Sequence, residues 1–333
     1  MITRIDCTMA GRLALLSLMA AGGAGAQDSG RASANGYPAK PVRVIVPLAP
    51  GGGSDIVARI VAAELLNHWG QSVVVDNRPG GGSTVGTAIA AKAPADGYTL
   101  LVSSSSIAIS PALYKNLDFD IQRDFSGITL IASQPSILAV HASVPAGSVR
   151  ELVALAKAQP GKLTYASAGT GSATHLGAEL LRHSAGIDLV HVPYKSAGQA
   201  TSALLSGESQ LLLTNMASVL PHMKSGRIKA LGISAAKRSA LAPTLPTVAE
   251  GGIAGFEYST WYAMLAPAGT PKSIVNRIQT DLAALIRTAP TRDRFVALGM
   301  EVYGTTAAEL EAYLHSEIAK WSKVIRAAGV RAE

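Results

Sequence analysis

The sequence predicts an α/β protein built from two doubly wound units of similar size. Three observations carry that expectation. Short β-branched runs alternate with stretches of helical period. The alternation restarts near residue 137. Gly-rich turns stand where strands run into helices.

In the first unit, Val42 to Val46 reads as a buried strand. Ser54 to His68 reads as a helix, because Ile56, Val57, Ile60, Val61 and Leu65 recur at helical spacing, with Ser54 placed to cap its start and Gly70 to end it. Ser72 to Val75 is the next strand, Ser83 to Ala91 the next helix and Tyr98 to Val102 a third strand. The second unit repeats the pattern. Ile137 to Val140 is a strand, and Ser148 to Glu151 is a capping box opening a helix to Ala158. Leu163 to Ala166 is a strand, Ser172 to Ser184 a helix and Leu189 to Val192 a strand; Gln210 to Leu213 and Arg227 to Ile233 complete the set. Near the C-terminus, Ser259 to Ala266 reads as a strand. Thr270-Pro271 opens a helix to Ile286, since proline suits a first helical position whose N–H would be unpaired anyway. Thr306 to Glu309 is a second capping box. It opens a long helix whose Leu310, Leu314, Ile318, Trp321 and Ile325 share one face and read as core.

Residues 1–26 read as a signal peptide: Arg4 and Arg12 give a basic start, Leu13 to Ala24 is a short apolar run, and Ala24-Gly25-Ala26 offers the small residues of a cleavage site before Gln27. Export to the periplasm is therefore expected. The one cysteine, Cys7, precedes the apolar run, so the mature chain is expected to have no disulfide, thiolate nucleophile or cysteine metal site. The formal charge of +7 is scattered and only 5% of residues are aromatic, so the basic stripe with stacking residues that nucleic-acid binding needs is missing.

The chemistry concentrates in three turns: Pro50-Gly51-Gly52-Gly53-Ser54-Asp55, Asn77-Arg78-Pro79-Gly80-Gly81-Gly82-Ser83 and Gly169-Thr170-Gly171-Ser172. The first N–H groups of a helix have no internal partner and lie at the positive end of its dipole. Glycine lets a ligand approach that backbone closely, so such a turn binds an anion without arginine or lysine. Nucleotide motifs fail. No Gly-Lys-Ser/Thr triplet closes a Walker loop, and the third glycine of a dinucleotide turn is replaced by Val85 or Thr174. Any one turn is equally explained as strand-to-helix punctuation; three in one two-lobed chain favour an anion-binding cleft.

Enzyme chemistry has little support. There is no Gly-x-Ser-x-Gly elbow, and Ser172 and His175 lack an acid partner, which leaves a hydrolase using Ser172 or Ser104 as a weak alternative. The spacing of His175, His183 and His191 does not make a metal set, and Glu64, Glu179 and Asp188 read as surface carboxylates. No cofactor is expected.

The stretches YPAKPVRVIVPLAPGGGSDIVAR, VVVDNRPGGGSTVG, AKAPADGYTLL, LTYASAGTGSATHLGAELL, VHVPYKSAGQA, SGRIKALGISAAKRS, LPTVAEGG and WYAMLAPAGTPKSIV follow one another in this order. Together they resemble the substrate-binding receptors of tripartite tricarboxylate transporters, the Bug family. The resemblance implies a periplasmic-binding-protein-like Venus flytrap. Two doubly wound lobes are joined by crossover strands: residues 37–137 plus 260–333 form lobe 1, and residues 138–259 form lobe 2. It implies a small organic carboxylate as ligand, held in the cleft by a monomer and delivered to membrane transporter subunits or, alternatively, sensed by a membrane kinase. Carried over, lobe 1 supplies Ala49, Gly51, Gly52, Ser54 and Asp55 from one turn and Asn77, Gly81 and Gly82 from the other. Asp55 is expected to orient its turn rather than touch the ligand, and Ser103 and Ser104 to line the floor. Lobe 2 supplies Ala168, Gly169, Thr170, Ser172, His175, Tyr194 and Lys195. Two family aspartates are replaced, by Ala203 and Gln210, and Leu213-Thr214-Asn215 replaces an aromatic-acid stretch. Fewer carboxylates there would favour a plain carboxylic acid over an amino acid.

Overall fold

The computed structural model describes residues 36–223, 225–240 and 242–330; the signal-peptide expectation lies outside them. Among the described residues ten strands form a mixed sheet: β1 Val42–Val46, β2 Val73–Asn77, β3 Thr99–Ser104, β4 Phe125–His141, β5 Thr164–Ser167, β6 Val190–Pro193, β7 Leu211–Asn215, β8 Ile228–Ile233, β9 Ser259–Pro267 and β10 Glu301–Val302. Their order is β2-β1-β3-β9-β4-β7-β5-β6, with β8 and β10 also paired to β4. β1 runs parallel to β2 and β3, and β5 runs parallel to β6 and β7, while β4 and β9 run antiparallel to their neighbours. The alternation of strand and helix thus forms an α/β protein whose sheet has parallel pairs toward each end and the reversed strands β9 and β4 between them.

β4 changes partner along its length. From Phe125 to Pro135 it pairs with β9, and from Ser136 it pairs with β7. The change falls at Pro135, which has no N–H to donate to a ladder. Only the last residues of this 17-residue strand were legible in sequence. Its pattern is buried almost throughout, so it lacks period-two alternation, and bulges at Gly127/Thr129 and Leu130/Ala132 break the rhythm further.

Helix starts also differ from the sequence reading. The first helix is Gly53–Trp69 with Gly52 as its N-cap, so Ser54 sits inside the first turn instead of capping it; Gly70 ends the helix in the left-handed region, φ +66°. Pro271 is itself the N-cap of Lys272–Arg287, and the Thr270 hydroxyl donates to the Pro267 carbonyl instead of capping the helix. Ser148 caps Val149–Ala158 through the Glu151 N–H, but the Glu151 carboxylate takes the Gly147 N–H, one residue outside the reciprocal box. The box at Thr306 and Glu309 is complete and opens Ala307–Ala328. On that helix Leu310, Leu314, Trp321 and Ile325 are buried, and Ile318 packs beside them. The helix packs on β4 and on the helices Ser106–Leu113 and Ala173–Ala185. Buried Glu317 on it accepts the indole N–H of Trp261 from β9 at 2.9 Å and that of Trp321 at 3.2 Å, so this core carboxylate is not orphaned.

Candidate functional site

The first turn is built around Asp55. Its Oδ2 accepts the Gly51 N–H at 2.9 Å and Arg59 Nε at 3.0 Å. Arg59 Nη2 also reaches Asn77 Oδ1 at 3.3 Å, and Asn77 Nδ2 donates to the Leu48 carbonyl at 3.1 Å. Burial pushes the Asp55 carboxyl up, but the Arg59 side chain, the Gly51 N–H and Asn77 together outweigh it and hold the group below the usual carboxylate range. Asp55 and Asn77 therefore brace the turn. Gly52 provides no side-chain cap, and among the described residues the N–H groups of Gly52, Gly53 and Ser54 find no hydrogen-bond partner. The Ser54 hydroxyl is buried and likewise unpartnered. Ala49, Gly51 and Gly52 are exposed.

The second turn runs through three consecutive left-handed residues, Gly81 at φ +53°, Gly82 at +59° and Ser83 at +86°, before the helix Thr84–Ala91. Successive N–H groups in such a bend point into one concavity. Those of Gly81 and Gly82 have no partner among the described residues, while Ser83 N–H closes onto the Gly80 carbonyl. A hydroxyl chain lies beside it: Ser83 Oγ donates to Ser106 Oγ at 3.1 Å, and Ser106 Oγ lies 3.0 Å from Ser104 Oγ. Ser103 and Ser104 are adjacent on β3 and so point to opposite faces. Ser104 lines a pocket; Ser103 is buried with its hydroxyl unpartnered.

That pocket, of about 170 Å³, brings together Gly82, Ser104 and Gly171, one residue from each of three predicted segments. Its other walls are Ser105, Ser106, Ser110, Tyr114 and Thr260 with the apolar Ile109, Leu113, Ala173 and Leu176. Among the described residues no Lys, Arg, His, Asp or Glu lines it. The serine run after β3 signalled part of this wall. Tyr114 gave no signal, because only folding brings its hydroxyl to within 2.3 Å of where a Gly82 Cβ would stand. Tyr262 is similar: a Cβ on Gly53 would lie 2.1 Å from its hydroxyl, and burial pushes that phenol up to about 12.

The third turn spends its N–H groups internally. Ala168 N–H donates to Thr174 Oγ1 at 2.8 Å, Gly169 N–H to Ser167 Oγ at 3.0 Å and Gly171 N–H to His175 Nδ1 at 3.0 Å. Ser172 caps the following helix through the His175 N–H, and Thr170 is exposed. His175 and His191 stack with centroids 4.1 Å apart, and Tyr165 stacks on His191 at 4.9 Å. Burial, then the neighbouring His191, push His175 down to about 4, and burial lowers His191 too. Glu179 is not the surface carboxylate that the sequence suggested. It is buried, takes the Tyr165 hydroxyl and is clamped by Arg182 Nη1 at 2.8 and 2.7 Å. Among the described residues no group of three or more His, Cys, Asp or Glu is placed to hold a metal ion.

Tyr194 donates its hydroxyl to Glu208 at 2.9 Å, and the Lys195 side chain is exposed; neither lines the pocket. The replaced positions lie off it as well. Ala203 is buried in the helix Ala197–Ser206, and Gln210 Oε1 accepts the Thr164 N–H at 2.8 Å and its hydroxyl at 2.6 Å. Asn215 Oδ1 takes the N–H and hydroxyl of Ser218 at 2.9 Å each.

Residues 57–330 match the model of the Tripartite tricarboxylate transporter family receptor. The chain is 35% identical to Protein BugT of Bordetella pertussis over 301 residues, 90% of this chain and 92% of that one. Its fold is similar to R. palustris Rpa4515 with adipate, at TM-score 0.72 and 34% identity, over 89% of this chain and 99% of that one. It is also similar to MatC from Rhodopseudomonas palustris with bound malate, at TM-score 0.69 and 29% identity, over 87% and 100% of the two chains.

Proposed function

Because this chain belongs to the tripartite tricarboxylate transporter receptor family, we propose that it is an exported receptor that captures a small organic carboxylate between its Gly-rich turns and delivers it to a membrane transporter. One observation carries the ligand class. The pocket has no cationic side chain among its described lining residues, yet Gly82 of the second turn lines it, and the adjacent N–H groups of Gly81 and Gly82 have no partner among the described residues. Bare helix-start N–H groups stabilise a carboxylate in such a place without a formal positive charge. Adipate and malate, bound by similar proteins, set the scale of ligand to try first.

The division into residues 37–137 plus 260–333 and residues 138–259 is supported by the change of strand partner within β4 and by β9 lying between β3 and β4. Closure of one lobe on the other would then bend the chain near Pro135 and Ser259, as in hinge closure around a ligand. Among the described residues no helix is long and apolar enough to cross a membrane.

A thermal-shift screen of organic acids tests the ligand class. A binding acid at a hundred times its dissociation constant should stabilise the fold by about 2.7 kcal/mol. Stabilisation by a neutral sugar or a cation, with no acid active, would overturn the carboxylate reading. Co-purification with a sensor kinase in place of transporter subunits would overturn the transport role.

A further inference from the structure

The third turn poses a problem that its glycines alone do not solve. Gly169 and Gly171 hold φ of +111° and +77°, and glycine loses more conformational freedom on folding than any other residue. A Gly-rich turn in a pocket wall stays in one shape only if something fixes its backbone. Two side chains do so from the buried side. His175 Nδ1 accepts the Gly171 N–H at 3.0 Å, and Ser167 Oγ accepts the Gly169 N–H at 3.0 Å while bonding His191 Nε2 at 2.6 Å. The two imidazoles stack on each other within 17° of parallel, so each limits the other's rotation.

We propose that His175 and His191 are positioning residues, a stacked imidazole clamp that holds the third turn in the pocket wall without touching the ligand. The reason for imidazole is chemical. The site needs a buried acceptor on a flat, apolar body, and a neutral imidazole supplies both. Because a backbone N–H must donate, Nδ1 of His175 carries no proton and the ring holds its hydrogen on Nε2. The surrounding groups are consistent with a neutral ring. His191 faces it from β6, Tyr165 from β5, and Glu179 and Arg182 from its own helix, where they neutralise each other as an ion pair. Gly171 itself lines the pocket, so a loosened clamp would be felt there. The binding part of this proposal rests on the receptor reading; the clamp itself does not.

Long-range ¹H–¹⁵N spectra and amide exchange on the ¹⁵N-labelled protein test it. At pH 7, His175 should show an unprotonated Nδ1 and a protonated Nε2. The Gly171 amide should exchange about tenfold more slowly than the exposed Thr170 amide, the protection expected of one formed hydrogen bond. His175→Asn, whose Oδ1 can stand where Nδ1 stood, should keep that protection, and His175→Leu should lose it. With adipate as the probe, the leucine variant should bind about tenfold more weakly and the asparagine variant within about threefold of wild type. A protonated Nδ1 in the wild-type protein, or Gly171 protection unchanged in His175→Leu, would overturn the clamp; the first result decides even where the leucine variant fails to fold. A wild-type protein that binds no acid but shows the protected Gly171 amide would overturn the ligand class and support the clamp.

Discussion

Gly52 and Gly81 share a motif but not a backbone geometry, and substitution should separate them. Gly52 has an ordinary extended backbone, φ −79° and ψ 168°, with only the Ala49 carbonyl near a new Cβ, at 3.5 Å. Gly52→Val replaces the N-cap glycine of Gly53–Trp69 and should cost about 0.5–1 kcal/mol while placing a branched side chain over the bare helix start and weakening acid binding. Gly81 has φ +53°, and a Cβ there would stand 2.3 Å from Thr84 Oγ1. Gly81→Val should cost about 1–3 kcal/mol through left-handed strain and contact, a loss that the sequence motif alone does not foretell. Urea titration of both variants beside acid titration checks the contrast. At this scale the sequence identified residues by chemistry but not by orientation. Gly82, Ser104 and Gly171 reach the pocket, whereas Ser103 turns away by strand alternation and Tyr114 enters only through tertiary packing.

Among the elements, helix starts and caps carry the site's stability, and two of them titrate. Asp55 braces the first turn with its carboxylate held below the usual range, so its contribution is full above the unfolded carboxyl value and fades as pH falls through the folded one. His175 falls from 6.5 to about 4 on folding. Between those values the unfolded chain binds a proton that the folded chain does not, so stability drops as pH falls through that window. Both effects have the same sign. The melting temperature should decline from pH 7 to pH 4, and His175→Asn should flatten the part of the decline that lies between pH 6.5 and 4. A slope unchanged in that variant would assign the decline to other groups. Asp55→Ala should cost about 1 kcal/mol by removing the acceptor that braces the exposed Gly51 N–H; denaturant unfolding at pH 7 measures it. Elements with a cap and a 3.6 period, such as Gly53–Trp69 and Ala307–Ala328, were legible in sequence. Most of β4 was not, since a strand buried on both faces and broken by bulges shows neither alternation nor length.

Across the whole molecule, β4 and β9 lie at the centre of the sheet, and a long C-terminal helix packs on β4 and on the helices Ser106–Leu113 and Ala173–Ala185. The α/β class could be read from strand–helix alternation. The return of β9 between β3 and β4 could not be read from local pattern, because strand order is a tertiary property. In the proposed receptor, the Gly-rich turns recognise the charge of a carboxylate through backbone N–H groups. Isothermal titration of a binding acid against its uncharged primary amide tests it most directly, since the two differ little in shape. The acid should bind one per chain, its amide should bind at least about tenfold more weakly, and Gly52→Val should lose most of the acid's affinity. Equal binding of acid and amide, or full acid affinity in Gly52→Val, would contradict the account.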